Sequence, residues 1–336
     1  MGARGETSEG LAAALKAASL ESFRESAKTA RAQLSNAAPG GTLEIANSLW
    51  LNSKWHFRDA YVSSARADFD ADFFNREFST SLVAELDGWV SKRTHGKITK
   101  AVENLDPNDA AILLNTVYFK GIWKRRFDPK LTYSGRFQLG SGETVEAPRM
   151  RLAGAEPGES DRLEYAEDGE TQILRLRYGA GRLAMDVILP ARGKPLNEVV
   201  RRFDGEWWRA IRSRLKHRLG GVELPRFRFE SRLRLNDPLI EMGASAAFDS
   251  ARADFGKMVE AGTHGVYIGE VQQTAVIEVD EAGTVAAAKT AVLMHKGFAR
   301  LTEEPFSFVA DHPFLFVIED TASGTILFIG SVQDPR

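Results

Sequence analysis

The C-terminal third places the strongest constraint on the fold. "YIGEVQQTAVIEVDE" (267–281), "FLFVIED" (314–320) and "TILFIGSV" (325–332) are runs rich in β-branched and aromatic residues. Such runs favour strands, and they follow one another without a regular alternation of helix and strand. A doubly wound parallel sheet needs that alternation, so the pattern predicts an α+β chain with antiparallel or mixed sheets.

The rest of the chain supplies helices and further strands. Thr7 to Phe23 has helical spacing, "TLEIANSLWLN" (42–52) alternates like a strand, and "TSLVAELDGWVSKRTHGKI" (80–98) returns to helix. "NDAAILLNTVYFKGIW" (108–123) contains a long apolar strand. "ETQILRLRY" and "RLAMDVILP" read as strands joined at "GAG", a helix is expected near "LNEVVRRFDGEWWRAIRSRL", and "GVELPRFRFES" is a further strand. No repeat, low-complexity tract or Pro/Gly/Ser linker divides the sequence, which predicts one domain over 1–336.

Composition narrows the function classes. With 336 residues, 43% of them hydrophobic, the chain can bury a large core. A net charge of -2 argues against a mainly electrostatic nucleic-acid binder. Without cysteine there is no disulfide, thiolate ligand or cysteine nucleophile. No segment has the apolar length of a membrane span, and the N-terminus "MGARGETSEGLAAALKAASLESF" lacks a signal-type apolar block.

Catalytic motifs are weak. "GAGRLA" (179–184) matches a loose dinucleotide fingerprint, but it lies between two strands and reads as a hairpin turn. His56, His95, His217, His264, His295 and His312 form no close metal-ligand spacing. There is no G-x-S-x-G elbow or P-loop, so nothing points to an enzyme or a cofactor. The basic run "WWRAIRSRLKHR" (207–218) would display Arg209, Arg212, Lys216 and Arg218 on a helix and could meet a polyanion. A solvated helix face anchored by Trp207 and Trp208 is the simpler reading.

Residues 280–308, "DEAGTVAAAKTAVLMHKGFARLTEEPFSF", resist both regular patterns. Alanine, lysine and leucine would allow a short helix over Gly283 to His295. Read with period two, Thr284, Ala286, Ala288, Thr290, Val292 and Met294 form one small or apolar face, with Lys289 and His295 opposite. Such conflicts between local propensity and a latent second pattern mark functional segments.

Five segments then resemble the serpin family, in the order that family has them: "LLNTVYFKGIWKRRFDP" (113–129), "LPRFRFES" (224–231), "MGASAAFDSARADFGKM" (242–258), "VDEAGTVAAAKTAV" (279–292) and "FVADHPFLFVIEDTASGTILFIGSV" (308–332). "IANSLWLN", "WVSKRTHGKI" and "LAMDVILP" extend the match over essentially the whole chain. The resemblance implies three β-sheets surrounded by helices, with an exposed reactive loop at about 282–307. It also implies an inhibitor of serine proteases that works as a suicide substrate. In that mechanism the loop is cleaved, an acyl-enzyme forms, and the cut loop enters the largest sheet as a new strand, a strand addition that releases stored strain. The alternative is a non-inhibitory binding or chaperone protein whose loop is only a substrate.

The resemblance also assigns roles. Glu281, Gly283, Thr284, Ala286, Ala287 and Ala288 match the hinge from which insertion starts, and Trp123 matches the tryptophan where the sheet opens. Arg226 would pair with Glu281. Asn115 resembles the polar residue beneath the opening sheet, and Gln273 stands where the family has its histidine partner. Two departures are expected to matter: the chain starts after the point where the family has two helices and a short strand, and Val285 replaces an acidic hinge residue.

Pro313 lies 30 positions after Gly283, so the scissile bond is ambiguous. Counting from the hinge favours the window Gly297, Phe298, Ala299, Arg300, Leu301, whereas counting back from "ADHPF" points to Thr302-Glu303. Phe298 would suit a chymotrypsin-like protease and Arg300 a trypsin-like one. The resemblance further implies a metastable, monomeric, extracellular protein without cofactor.

Overall fold

The computed structural model describes residues 2–34, 42–102, 105–152, 162–260, 265–282 and 304–336. In chain order its elements begin with helices α1 (Gly5–Ala14) and α2 (Leu20–Leu34), strand β1 (Thr42–Asn52), α3 (Asp59–Phe69), β2 (Ala71–Arg76), α4 (Leu82–Arg93) and β3 (Ala111–Lys120). Then come β4 (Tyr133–Gln138), β5 (Thr144–Leu152), β6 (Leu163–Glu167), β7 (Thr171–Arg177), β8 (Leu183–Pro190), α5 (Leu196–Arg202) and α6 (Gly205–Arg212). The last third holds β9 (Lys216–Arg218), β10 (Gly220–Pro225), β11 (Phe227–Arg234), α7 (Asn236–Leu239), β12 (Ile268–Val279), β13 (Phe306–Val309), β14 (Phe314–Asp320) and β15 (Thr325–Val332). Among the described residues these strands form three sheets in an α+β chain.

Backbone contacts divide the chain into two compact units. One contains residues 43–119 and 229–277 with the N-terminal helices, the other residues 120–228 and 278–336. The first holds a five-stranded sheet in the order β11-β12-β3-β1-β2. Along β3 the side chains alternate between faces. Ile112, Leu114 and Tyr118 pack under α4, which offers Leu82, Leu86, Trp89 and Val90. These fall at spacings of four, seven and eight residues, one stripe of a 3.6-residue helix. Full burial of each such side chain contributes about 1.5–3 kcal/mol. The opposite face of β3 sets Ala111 and Leu113 against Leu49, Leu51 and Tyr61.

The second unit contains a four-stranded sheet, β13-β10-β5-β4, and a six-stranded one, β15-β14-β8-β7-β6-β9. The six-stranded sheet carries α5 and α6, whose Val199, Trp208 and Ile211 pack on Ile173, Ile188, Leu315 and Val317. The "GAG" segment joins β7 to its antiparallel partner β8, with Gly179 at φ +46°, a conformation that glycine adopts without strain.

Several sequence readings are corrected in detail. The helical pattern from Thr7 to Phe23 is broken, because Lys16 takes φ +49° and a new helix starts behind Ser19. There Ser22 N donates to Ser19 Oγ and Ser19 N donates to Ser22 Oγ, both at 3.1 Å, closing the α2 N-terminus. The expected helix near residue 205 is two helices. The first ends at Arg202, and Asp204 caps the second, accepting from Glu206 N at 3.0 Å and Trp207 N at 2.8 Å. "GVELPRFRFES" forms two strands of different sheets, β10 and β11, separated at Arg226.

Candidate functional site: the β3–β12 seam and the hinge that follows β12

β12 and β3 are direct neighbours. They pair in parallel from Glu270 opposite Ile112 to Ile277 opposite Phe119 without interruption, after one bulge at the β12 start. No strand lies between them. Midway along this seam Gln273 Nε2 donates to Asn115 Oδ1 at 3.1 Å, and Asn115 Nδ2 donates to Asn47 Oδ1 at 2.8 Å. The two residues singled out in the sequence are therefore cross-strand partners, and Asn47 extends the chain of amides onto β1. Asn47 left a signal of its own: in "LEIANSLWL" it interrupts the alternate positions Leu43, Ile45, Leu49 and Leu51.

Past the end of β12 the chain is held by a buried carboxylate. Glu281 Oε1 accepts from Arg226 Nε at 2.7 Å and lies 2.5 Å from Arg226 Nη2, and the Thr132 hydroxyl donates to the same oxygen. Glu281 is 6% exposed, whereas the Arg226 side chain is 44% exposed, so the acid is the desolvated partner. Burial pushes the Glu281 carboxyl up. The Arg226 guanidinium, the Thr132 hydroxyl and a backbone hydrogen bond outweigh that and hold it below the ordinary glutamate range. Sequence reasoning missed Thr132, because a threonine in a loop carries no periodic signal.

Trp123 fastens the same short segment from the other side. Its indole Nε1 donates to Asp280 O at 2.8 Å, its backbone N–H donates to Ala282 O at 3.1 Å, and Phe127 N donates to Glu281 O at 2.9 Å. The indole is 2% exposed and stacks on Tyr178 at a centroid distance of 4.4 Å and 13°. Every carbonyl from Asp280 to Ala282 thus has a donor from the stretch after β3, and Arg226 secures the side chain between them.

The other residues expected at the hinge, Gly283, Thr284, Ala286, Ala287 and Ala288, and those of the expected scissile window, Gly297, Phe298, Ala299, Arg300 and Leu301, lie outside the described residues. The basic run is not one helical face. Arg212 is an ion-pair partner of Glu319 at 2.6 Å, and Lys216 and Arg218 lie on β9, where Arg218 sits 5.4 Å above the Tyr165 ring. The helix stops at Arg212 because the following residues join the edge of the six-stranded sheet, opposite β6.

One charged cluster escaped sequence reading. Arg175 binds Asp186 through Nε at 2.7 Å and Nη2 at 2.8 Å and reaches Glu319 at 2.6 Å. Asp186 and Glu319 are fully buried. Burial pushes the Asp186 carboxyl up to about 6, against the opposing pull of Arg175. The signal was a lone acid inside the apolar run "LAMDVILP".

The comparisons with known proteins coincide with this geometry. The family model Serpin (serine protease inhibitor) matches residues 1–335. The chain is a serpin. An uncharacterized serpin-like protein of Methanosarcina acetivorans is 33% identical to it over 88% of this chain and 67% of that protein. Leukocyte elastase inhibitor A of Mus musculus is 28% identical over all of this chain and 89% of its own length. Among solved structures, the thermophilic serpin tengpin in its native state superposes with a TM-score of 0.87 at 26% identity, covering 99% of this chain and 84% of its own. The family consists broadly of protease inhibitors, not enzymes, whose members pair with target proteases. In this serpin no helix among the described residues is long and apolar enough to cross a membrane.

Proposed function

We propose that this serpin inhibits a serine protease of chymotrypsin-like or trypsin-like specificity by suicide-substrate trapping, with the reactive loop inserting between β3 and β12. The observation that carries the reading is the direct parallel pairing of these two strands. A segment that turns back from the end of β12 must run antiparallel to β12, and therefore antiparallel to β3. Insertion replaces one parallel ladder with two antiparallel ones, which are slightly more stable per residue. A dozen new ladder bonds at a net ~0.5–1.5 kcal/mol each release on the order of 10 kcal/mol, comparable to the whole stability of a domain. The uninserted chain is then metastable, held by a barrier.

The sequence after the hinge suits that step. Thr284, Ala286, Ala288 and Thr290 share one period-two face and are small enough to enter between strands already packed over a core. Leukocyte elastase inhibitors among the relatives favour an inhibitory role. The whole chain acts as one serpin-like unit, with the hinge at Glu281 to Ala288 and a cut in the window 297–301. The test is incubation with chymotrypsin and with trypsin, followed by a denaturing gel. A covalent complex that survives denaturation supports the reading, and cleavage without a complex favours the non-inhibitory alternative.

A further inference from the structure

A polar cleft of about 470 Å³ opens in the first unit at the start of β12. The edge strand β11 brings Arg232 and Arg234 to it, the loop before β3 brings Asp106 and Asp109, and β12 brings Gln272, with Glu270 beside the acids. Arg232 and Arg234 are two positions apart on one strand, so both side chains leave the same face about 7 Å apart. Cations thus line one wall and carboxylates the other. A wall pair of this kind matches a ligand that carries both charges.

Three features distinguish the cleft from an ordinary charged surface. Gln272 is only 7% exposed, yet among the described residues its amide has no hydrogen-bond partner. Its amide atoms are not sealed from solvent, so this largely buried side chain offers the cleft a free donor and a free acceptor. The Arg232 guanidinium likewise has no ion-pair partner among the described residues. Gly269 makes room for the acid wall: a Cβ there would lie 2.1–2.5 Å from the Asp109 carboxylate, so any other residue would push that carboxylate out of place. Burial first, then the neighbouring Asp106 charge, raise the Asp109 carboxyl above its ordinary value, against the opposing pull of Arg234 and the Tyr267 hydroxyl.

We infer that this cleft binds a small zwitterion of the amino-acid or short-peptide class, its carboxylate on Arg232 and Arg234, its ammonium against Asp106 and Asp109, and Gln272 satisfying a polar group between them. Guanidinium groups recognise carboxylates through paired N–H donors, and an ammonium is matched by two acids. Binding involves neither protease nor reactive loop, so it is measured independently of inhibition.

The experiment is calorimetric titration of the intact chain with L-alanyl-L-alanine, its N-acetyl form and its C-terminal amide. The dipeptide is expected to bind with a Kd of about 1 mM or tighter, and each singly charged form about tenfold or more weaker. Arg232→Ala and Asp106→Asn alter exposed side chains, and each should weaken the dipeptide about tenfold while the circular dichroism spectrum is unchanged. Absence of dipeptide binding overturns the assignment. Equal binding of the N-acetyl form shows an anion site instead, and equal binding of the amide a cation site. Binding that neither substitution weakens places the ligand elsewhere and also overturns it.

Discussion

Arg226 and Glu281, 55 positions apart in sequence, meet through a single oxygen: both Nε and Nη2 of the arginine approach Glu281 Oε1, at 2.7 and 2.5 Å. Two donors on one atom fix that carboxylate oxygen more tightly than a single surface ion pair would. The pair therefore restrains the backbone just past the end of β12.

Removing the cation should loosen this restraint. Arg226→Ala leaves a buried carboxylate with the Thr132 hydroxyl as its remaining side-chain donor. The exposure of Arg226 keeps the expected loss modest, about 1 kcal/mol. Denaturant unfolding is the measurement. An unchanged midpoint would show that the pair contributes nothing to stability.

The same pair predicts a pH dependence with a definite sign. The folded Glu281 carboxyl titrates below its ordinary value of about 4.3, so its contribution is fully present above that pH and is lost as pH falls through the folded value. Glu281→Gln should be less stable than the parent near neutrality, and the gap should close on acidification. Melting curves of both proteins from neutral pH to the lower end of the carboxylate range test this; a constant gap would contradict it.

Asn115 and Gln273 should be energetically coupled. A double-mutant cycle of Asn115→Ala and Gln273→Ala is expected to give ~0.5–1.5 kcal/mol of interaction, the net worth of one hydrogen bond. Additive losses would mean that the amide contact across the seam carries no stability.

Loop insertion makes two linked predictions. Thr284→Arg places an unpaired charge at the start of the face to be buried, so it should convert inhibitor to substrate while leaving the uncut melting temperature nearly unchanged. Cleavage of the parent between residues 297 and 301 by a non-target protease should raise its melting temperature, and the variant should show a smaller rise. Equal yields of covalent complex from both proteins would count against insertion from Thr284.

The buried cluster around Arg175 responds to pH in the opposite sense. Asp186 titrates at about 6 in the folded chain, above its unfolded value of about 3.9, so it favours folding most below the unfolded value and that contribution fades as pH rises through about 6. Asp186→Asn cannot titrate and should flatten this part of the stability profile between about pH 4 and 6. A profile identical to that of the parent would assign the slope to other groups.

The sequence by itself determined the elements whose side-chain period matches their burial. β1 falls on the residues that alternation marked, β14 and β15 on runs of β-branched and aromatic residues, and α4 occupies the core of its helical pattern, because strand-favouring composition and the period of a helix with one buried stripe can both be read locally. It also carried the family, since the ordered segments from 113 to 332 are specific as a set. Short edge strands such as β9 and β13, with three and four residues, carry too little pattern to be read locally. Only the tertiary structure decided which strands are neighbours. The parallel contact of β3 with β12, the amide chain through Asn47, the three donors on Glu281 and the facing walls of Asp106, Asp109, Arg232 and Arg234 each join residues far apart in sequence. Local propensity fixes what a segment becomes, but hydrogen-bond and charge partners are chosen by chain topology, which a one-dimensional pattern does not contain.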